Sequence, residues 1–244
     1  MGRLQTKTCL VTGGGSGIGL GIARALAAEG CRVVIAGRNA EKLRAAAEAW
    51  LGPPPLLFHP VDVADRSSVR QLFAWAAQQL GRIDILVNAA GINIKTRSMA
   101  AMAQEQWDQI MAVNATGMYN CMYEVLPQMR ERRDGLIINI SSISGKRAFA
   151  MAGIAYCASK FAATALGTAV GNEDAAHGIR VTTIYPGEVN TPVLESRPEP
   201  VSAERKAAML QPEDFGDIVV AIACLPPRAH VPELVIKPTV QGYV

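Results

Sequence analysis

The sequence predicts an α/β fold: a doubly wound parallel sheet of about seven strands with helices on both faces. Three observations carry that prediction. Short apolar runs alternate with longer helix-forming stretches from end to end, the order of repeated βα units. The apolar runs are continuous rather than alternating, so both sides of the sheet are expected to be covered. A glycine-rich turn, "TGGGSGIG", stands directly behind the first run, where such a sheet passes from strand to helix.

"TCLVTG" (residues 8–13) is the first expected strand, and residues 18–29 form a helix stopped by Gly30. "RVVIAG" (32–37) is the second strand, and Asn39 is placed to cap the helix "AEKLRAAAEAWL". "PLLFHPVDV" gives the third strand, followed by a helix over 67–80 closed by Gly81. "IDILVNAAG" is the fourth, leading through a polar loop into one long helix from about residue 104 to 132. "GLIINISS" (135–142) is the fifth, followed by an alanine-rich helix over 152–172. "IRVTTIYPG" (179–187) is the sixth; a charged, proline-rich stretch, a helix near 212–225 and a short last strand "ELVIKP" complete the order. No repeat, low-complexity segment or linker interrupts it, so residues 1–244 are expected to form a single domain for both cofactor binding and catalysis.

Composition narrows the function classes. The chain is 50% hydrophobic and 18% charged, which suits one well-buried core. A net charge of +3 without a dense Lys/Arg block speaks against nucleic acid as a partner. The five cysteines show no CxxC pair, as expected of reduced thiols in a cytoplasmic protein. Three scattered histidines do not suggest a metal site, so none is expected. There is no signal-peptide pattern at the N-terminus and no run of the ~20 apolar residues that a membrane span needs. The expectation is a soluble, cytoplasmic chain without a membrane partner.

Three phosphate-loop patterns fail on the glycine turn. No lysine follows it as a Walker A loop requires. With Ser16 central, Ile18 occupies the last glycine position of a nucleophile elbow, and Leu20 the third glycine position of the strict dinucleotide fingerprint. What stands is Thr12-Gly13-x-x-x-Gly17-x-Gly19, a turn that lets a pyrophosphate reach free N–H groups at a helix start. The competing reading is a plain glycine turn. The second strand ends "IAGRN", with no carboxylate for ribose hydroxyls; Arg38 instead suits a 2′-phosphate, which favours NADP over NAD. The competing reading has Arg38 stacked on adenine or facing solvent.

Reaction chemistry concentrates in "YCASK", where Tyr156 and Lys160 lie four residues apart and share a helix face. A tyrosine near its ordinary pKa of ~10 is a poor base at neutral pH. A lysine ammonium, with an oxidised nicotinamide ring, favours the phenolate and fits the residue to exchange a proton with an alcohol or carbonyl. "IINISSISG" delivers Ser141, Ser142 and Ser144 to the carboxyl end of the fifth strand, and "LVNAAG" delivers Asn88 to the same rim. Asn114 falls inside the long predicted helix, where asparagine has poor propensity.

With these motifs in this order, the chain resembles the short-chain dehydrogenase/reductase family in its single-domain branch, which implies a Rossmann-like fold. The resemblance implies Tyr156 as general acid/base, Lys160 lowering its pKa and holding the nicotinamide ribose, and Ser142 polarising the substrate carbonyl. Asn114 would hold a relay water. The cofactor would lie along Gly13, Ser16, Gly17, Ile18 and Gly19, with Asp62 and Val63 at adenine and Asn88, Ala89 and Gly91 near the adenine ribose. Pro186 and Gly187 would also bind the cofactor, leading to Val189 and Thr191, which would meet the nicotinamide carboxamide. The implied reaction is metal-free hydride transfer between NADP (favoured) or NAD and a small-molecule carbonyl or secondary alcohol. The alternatives are a 3-oxoacyl-carrier-type reductase and a non-catalytic cofactor-sensing Rossmann protein.

A homodimer or homotetramer is implied through the helices over 104–132 and 152–172. The C-terminal stretch departs from the family's glycine-rich tail, having only Gly242 besides Pro226 and Pro227, so tail-mediated tetramer contacts do not carry over. Lys95, Arg97, Lys146, Arg147 and Arg197 fall in the loops expected around the substrate. They are either an anion or carrier-protein site or solvated loop charges. The stretch after Thr191 is expected to be a short loop leaving an open site.

Overall fold

The two cores of the molecule are set by alternation along the strands. In β1 (Thr8–Thr12), Cys9 and Val11 face one core while Leu10 faces the other. The same division holds in β2 (Arg32–Gly37), where Val33 and Ile35 oppose Val34 and Ala36. Both faces are therefore covered, which explains why these strands read as unbroken apolar runs. The computed structural model describes residues 2–242; Met1, Tyr243 and Val244, which the expected bounds of 1–244 include, lie outside the described residues.

The other strands are β3 (Leu57–Pro60), β4 (Ile85–Asn88), β5 (Gly135–Ile140), β6 (Ile179–Pro186) and β7 (Glu233–Ile236). All seven pair in parallel in the order β3-β2-β1-β4-β5-β6-β7. α1 (Gly17–Ala28), α2 (Ala40–Glu48) and α8 (Asp214–Ala223) contribute Ile22, Leu26, Leu43, Phe215 and Val219 to the first core. α3 (Arg66–Leu80), α5 (Gly117–Arg132) and α6 (Ile154–Asp174) supply Leu72, Met122, Val125 and Ala163 to the second. Each large apolar side chain fully buried this way is worth about 1.5–3 kcal/mol. The expected doubly wound parallel sheet is the fold observed. The chain winds outward in opposite directions from β1 and β4, which opens a crevice at the carboxyl ends of these strands.

Asn39 caps α2 as expected, its Oδ1 accepting from the Lys42 N–H at 2.9 Å. Three details differ from the sequence expectation. The third strand is shorter, because Asp62 enters a turn whose Oδ1 accepts from the Ala64 N–H at 3.0 Å. The long helix is interrupted: α4 (Gln104–Met111) passes through a π turn, Ala112–Thr116, into α5. The stretch after Thr191 is not a plain loop but a 3₁₀ turn, Pro192–Ser196, followed by α7 (Ala203–Ala207), which Ser202 caps by accepting from the Arg205 N–H.

Candidate active site

The glycine turn joins β1 to α1 under tight contact. Gly13 has φ +69°, and a Cβ there would come within 2.7 Å of the Ala89 carbonyl. A Cβ on Gly19 would lie 2.5 Å from the Gly13 oxygen, so only glycine lets the helix start this close to the strand end. The Ser16 side chain makes no cap bond, which leaves the N–H groups of the first turn of α1 open to an outside acceptor.

α6 and the end of β5 build the chemical centre. A 3₁₀ turn over Ile143–Gly145 packs on α6, where the Ser141 hydroxyl donates to the Lys160 carbonyl at 3.1 Å. Ser141 is thus committed to structure. The Ser142 hydroxyl accepts from the Ser144 N–H at 3.1 Å and donates to Ser144 Oγ at 3.2 Å, near the Tyr156 phenol. Burial holds the Tyr156 phenol above its ordinary value of 10, with Ser142 and then Arg97 pulling it back toward the phenolate. This direction is opposite to the lowering expected from Lys160 and an oxidised cofactor. The Lys160 ammonium lies 5.6 Å from the Tyr156 ring centroid and donates to the Ile140 carbonyl at 2.9 Å. Removal from water pushes its pKa down to about 8.

Asn114 is fixed in the π turn. Its Oδ1 accepts from the Ile92 N–H at 2.8 Å, while Nδ2 donates to the Ile92 carbonyl and to Ser159 Oγ, both at 3.0 Å. A helix of ordinary pitch continued through this point would turn the amide elsewhere, and such π turns recur at functional sites. Ser159 in turn donates to the Tyr156 carbonyl at 2.8 Å, so one chain of hydrogen bonds runs from the loop after β4 to α6.

A cleft of about 640 Å³ runs along the carboxyl end of the sheet. At one end it is lined by Gly13, Ser16, Gly17, Ile18 and Gly19, with Ala89 and Gly91 beside them. Ser142, Tyr156 and Lys160 line its middle, and Pro186, Gly187, Val189 and Thr191 form the wall from β6. The remaining expected residues stand outside it. Arg38 is exposed beyond β2 and makes no hydrogen bond or ion pair among the described residues. Asp62 is exposed in its turn, whereas Val63 is buried and its carbonyl accepts from Asn120 Nδ2 at 2.9 Å. Asn88 Nδ2 donates to Asn139 Oδ1 at 2.9 Å, tying β4 to β5 inside the sheet. Asn114 adjoins the cleft from behind Gly91.

The model of the family described as short chain dehydrogenase matches residues 7–201. An uncharacterised oxidoreductase of Staphylococcus aureus strain USA300 is 34% identical over 235 residues, covering 96% of this chain and 98% of that protein. The chain belongs to the short-chain dehydrogenase family. Among solved structures, the closed form of a serine dehydrogenase complexed with NADP+ superposes with a TM-score of 0.89 at 29% identity, covering 97% of this chain and 96% of the other. A 3-ketoacyl-(acyl-carrier-protein) reductase from Brucella melitensis complexed with NADH gives 0.85 at 27% identity, over 96% and 97% of the two chains.

Within this short-chain dehydrogenase, two residues at or behind the cleft had no sequence signal. Ser159 is a buried serine in an alanine-rich helix, indistinguishable in sequence from its neighbours. Gln241 reaches back from the C-terminal stretch to line the cleft, its Oε1 accepting from the Glu188 N–H at 2.9 Å. Of the five basic loop residues, Arg97 and Arg197 line the cleft. Lys146 is instead paired with Glu233 and lies 4.4 Å from the Tyr185 ring centroid. Among the described residues, no group of three or more His, Cys, Asp or Glu is arranged to hold a metal, and no helix is long and apolar enough to cross a membrane.

Proposed function

We propose that this short-chain dehydrogenase/reductase enzyme transfers hydride between NADP(H) and a carbonyl or secondary alcohol, with Tyr156 as general acid/base. The observation that carries the reading is that Ser142, Tyr156 and Lys160 line one cleft, with the Lys160 ammonium one helical turn on from the tyrosine, 5.6 Å from its ring centroid. When bound, the nicotinamide group supplies or accepts the hydride.

The residues at the end of the cleft fit such a cofactor. The open N–H groups of the first turn of α1 and the bare backbone of Gly13, Gly17 and Gly19 would hold the pyrophosphate. Arg38, exposed and without a partner among the described residues, would take the 2′-phosphate, with Asp62 and Val63 at the adenine. Asn88, Ala89 and Gly91 would back the adenine ribose, and Pro186, Gly187, Val189 and Thr191 the nicotinamide. The two solved neighbours carry NADP+ in one case and NADH in the other, so the preference for NADP rests on Arg38.

A partly buried phenol with a raised pKa is protonated at neutral pH, the state required to donate to a carbonyl oxygen as negative charge develops on it. Ser142 would donate to the same oxygen. Lys160, with a pKa of about 8, is mostly cationic at pH 7 and would stabilise the phenolate left after transfer. The Asn114 side chain is committed to Ile92 and Ser159, so a relay water beside Lys160 would rest on main-chain atoms of the π turn.

We further read residues 1–244 as a single domain, in a cytoplasmic setting that keeps its free cysteines reduced. Assembly as a homodimer or homotetramer is supported by Trp107, Tyr119, Tyr123 and Phe161, large apolar side chains exposed on α4, α5 and α6. The test of the reaction is label transfer. With NADPH deuterated at the nicotinamide C4, a carbonyl panel should yield an alcohol deuterated at the carbinol carbon. Consumption of NADPH without label in any alcohol would refute hydride transfer to a carbonyl.

A further inference from the structure

Two guanidinium groups, Arg197 and Arg205, share the Glu188 carboxylate, and a third, Arg97, lines the cleft near Arg197. Glu188 follows Pro186-Gly187, and its Oε1 accepts from Arg197 at 2.7 Å and from Arg205 at 2.9 Å. Glu188 is therefore shared between two cations, and Arg97 has no carboxylate within ion-pair distance among the described residues. The Arg97 side chain lies across Gly153, where a Cβ would come within 2.8 Å of its own Cβ. It donates from Nε to the Ile94 carbonyl at 2.9 Å, from Nη1 to the Met151 carbonyl and from Nη2 to the Ser196 carbonyl at 2.9 Å.

These three carbonyls come from the loops that follow β4, β5 and β6, so one guanidinium ties together the three loops around the reacting centre. A guanidinium has five N–H donors. Three are engaged, and among the described residues one on each Nη has no acceptor. Carbonyl dipoles orient the group without neutralising it. Burial and the nearby Arg197 charge both disfavour the cation and push the Arg97 pKa down. Arg97 thus stands as a cation with no ion-pair partner among the described residues, in a cleft wall that Arg197, Glu188 and Glu195 also line, and within electrostatic reach of Tyr156. A neutral substrate would leave that charge partly desolvated and unpaired, whereas a carboxylate would use the open donors and relieve the repulsion between the two arginines.

We propose that the substrate of this cleft is a small oxo or hydroxy acid, and that Arg97, with Arg197 beside it, binds the substrate carboxylate and so sets specificity. The inference rests on the hydride-transfer reading of the same cleft and deepens it by naming the substrate class. The other substrate type that the loop charges suggested, a carrier-protein thioester, presents no carboxylate beside its carbonyl and is the opposing outcome.

The test pairs four- to eight-carbon oxo acids with their methyl esters, assayed with NADPH. The wild-type enzyme should favour the acids by about tenfold or more in kcat/KM. In Arg97→Gln the acid-to-ester ratio should fall to about one, through a raised KM for the acids. Arg197→Gln, which leaves the three carbonyl bonds intact, should lower the ratio by a smaller factor. A wild-type preference for esters, or an Arg97→Gln enzyme weakened equally toward acid and ester, would overturn the proposal and leave Arg97 a structural tie. Calorimetric titration of the NADP+-loaded enzyme with the same acids and esters separates the two readings. Binding of the acids that Arg97→Gln abolishes supports the anion site even if no compound is turned over, and absence of any acid preference in binding refutes it.

Discussion

Lys160 should be a liability to the empty fold and a necessity for the reaction, and its replacement by methionine exposes both. The side chain is 4% exposed, and burial lowers its pKa from 10.5 to about 8. At about 1.36 kcal/mol per pH unit, that drop corresponds to roughly 3 kcal/mol by which the folded state disfavours the charged lysine. The sign follows from proton counts. Between pH 8 and 10.5 the unfolded chain holds the proton and the folded chain has lost it, so stability rises with pH across that window. Below pH 8 both states are charged, and the penalty is present in full. Lys160→Met removes it but leaves the Ile140 carbonyl without its 2.9 Å donor, a loss of about 1–2 kcal/mol. The net expectation at pH 7 is a cofactor-free variant more stable by about 1–2 kcal/mol, or about 4 °C in Tm for a chain of this length. The advantage should shrink as pH rises from 8 toward 10.5, and activity should be lost. Thermal unfolding of both proteins without cofactor at pH 7, 8, 9 and 10 measures it. A variant less stable than wild type at pH 7, or a difference that does not change with pH, would refute the reasoning.

Two further outcomes follow from the cofactor end and the π turn. Arg38→Ala should weaken NADPH binding by about tenfold while leaving NADH within about twofold, as fluorescence titration with both cofactors would show; equal losses for the two would remove the 2′-phosphate assignment. Asn114→Ala deletes three buried hydrogen bonds and strands the Ile92 N–H and carbonyl, so denaturant unfolding should show a loss of about 2–4 kcal/mol. Asn114→Asp should restore at most the bond from the Ile92 N–H.

The parts of the molecule legible in the sequence are those that local chemistry dictates. Strands buried on both faces must be apolar throughout, and Val33-Val34-Ile35 announces β2 for that reason. Gly13 and Gly19 are legible because nothing larger fits between the β1 end and α1. Tyr156 and Lys160 share a helix face by their spacing, a spacing common in helices, and they are legible because the glycine turn, Asn88, Asn114 and Ser142 accompany them in order. What was hidden depends on partners distant in sequence. The π turn at residues 112–116 arises from the pull of Ile92 on Asn114, a contact that no helix propensity encodes. Local pattern alone offers Ser141, Ser142 and Ser144 as equals; the resemblance singles out Ser142, and the hydrogen bond of Ser141 to the Lys160 carbonyl is a contact that the sequence does not show. The sharing of Glu188 by Arg197 and Arg205, and the return of Gln241 to the cleft, join residues 9 to 53 positions apart, and each looks in sequence like an ordinary surface charge or amide.

The central claim is that the Tyr156 hydroxyl carries the proton. Tyr156→Phe keeps the ring in place and removes that one group, so it separates chemistry from binding more cleanly than any other change. On a carbonyl that the wild-type enzyme reduces, kcat/KM should fall by about 10²–10⁴-fold, while the Kd for NADPH stays within about fivefold. A Tyr156→Phe enzyme that binds NADPH and keeps kcat/KM within tenfold of wild type would contradict the account.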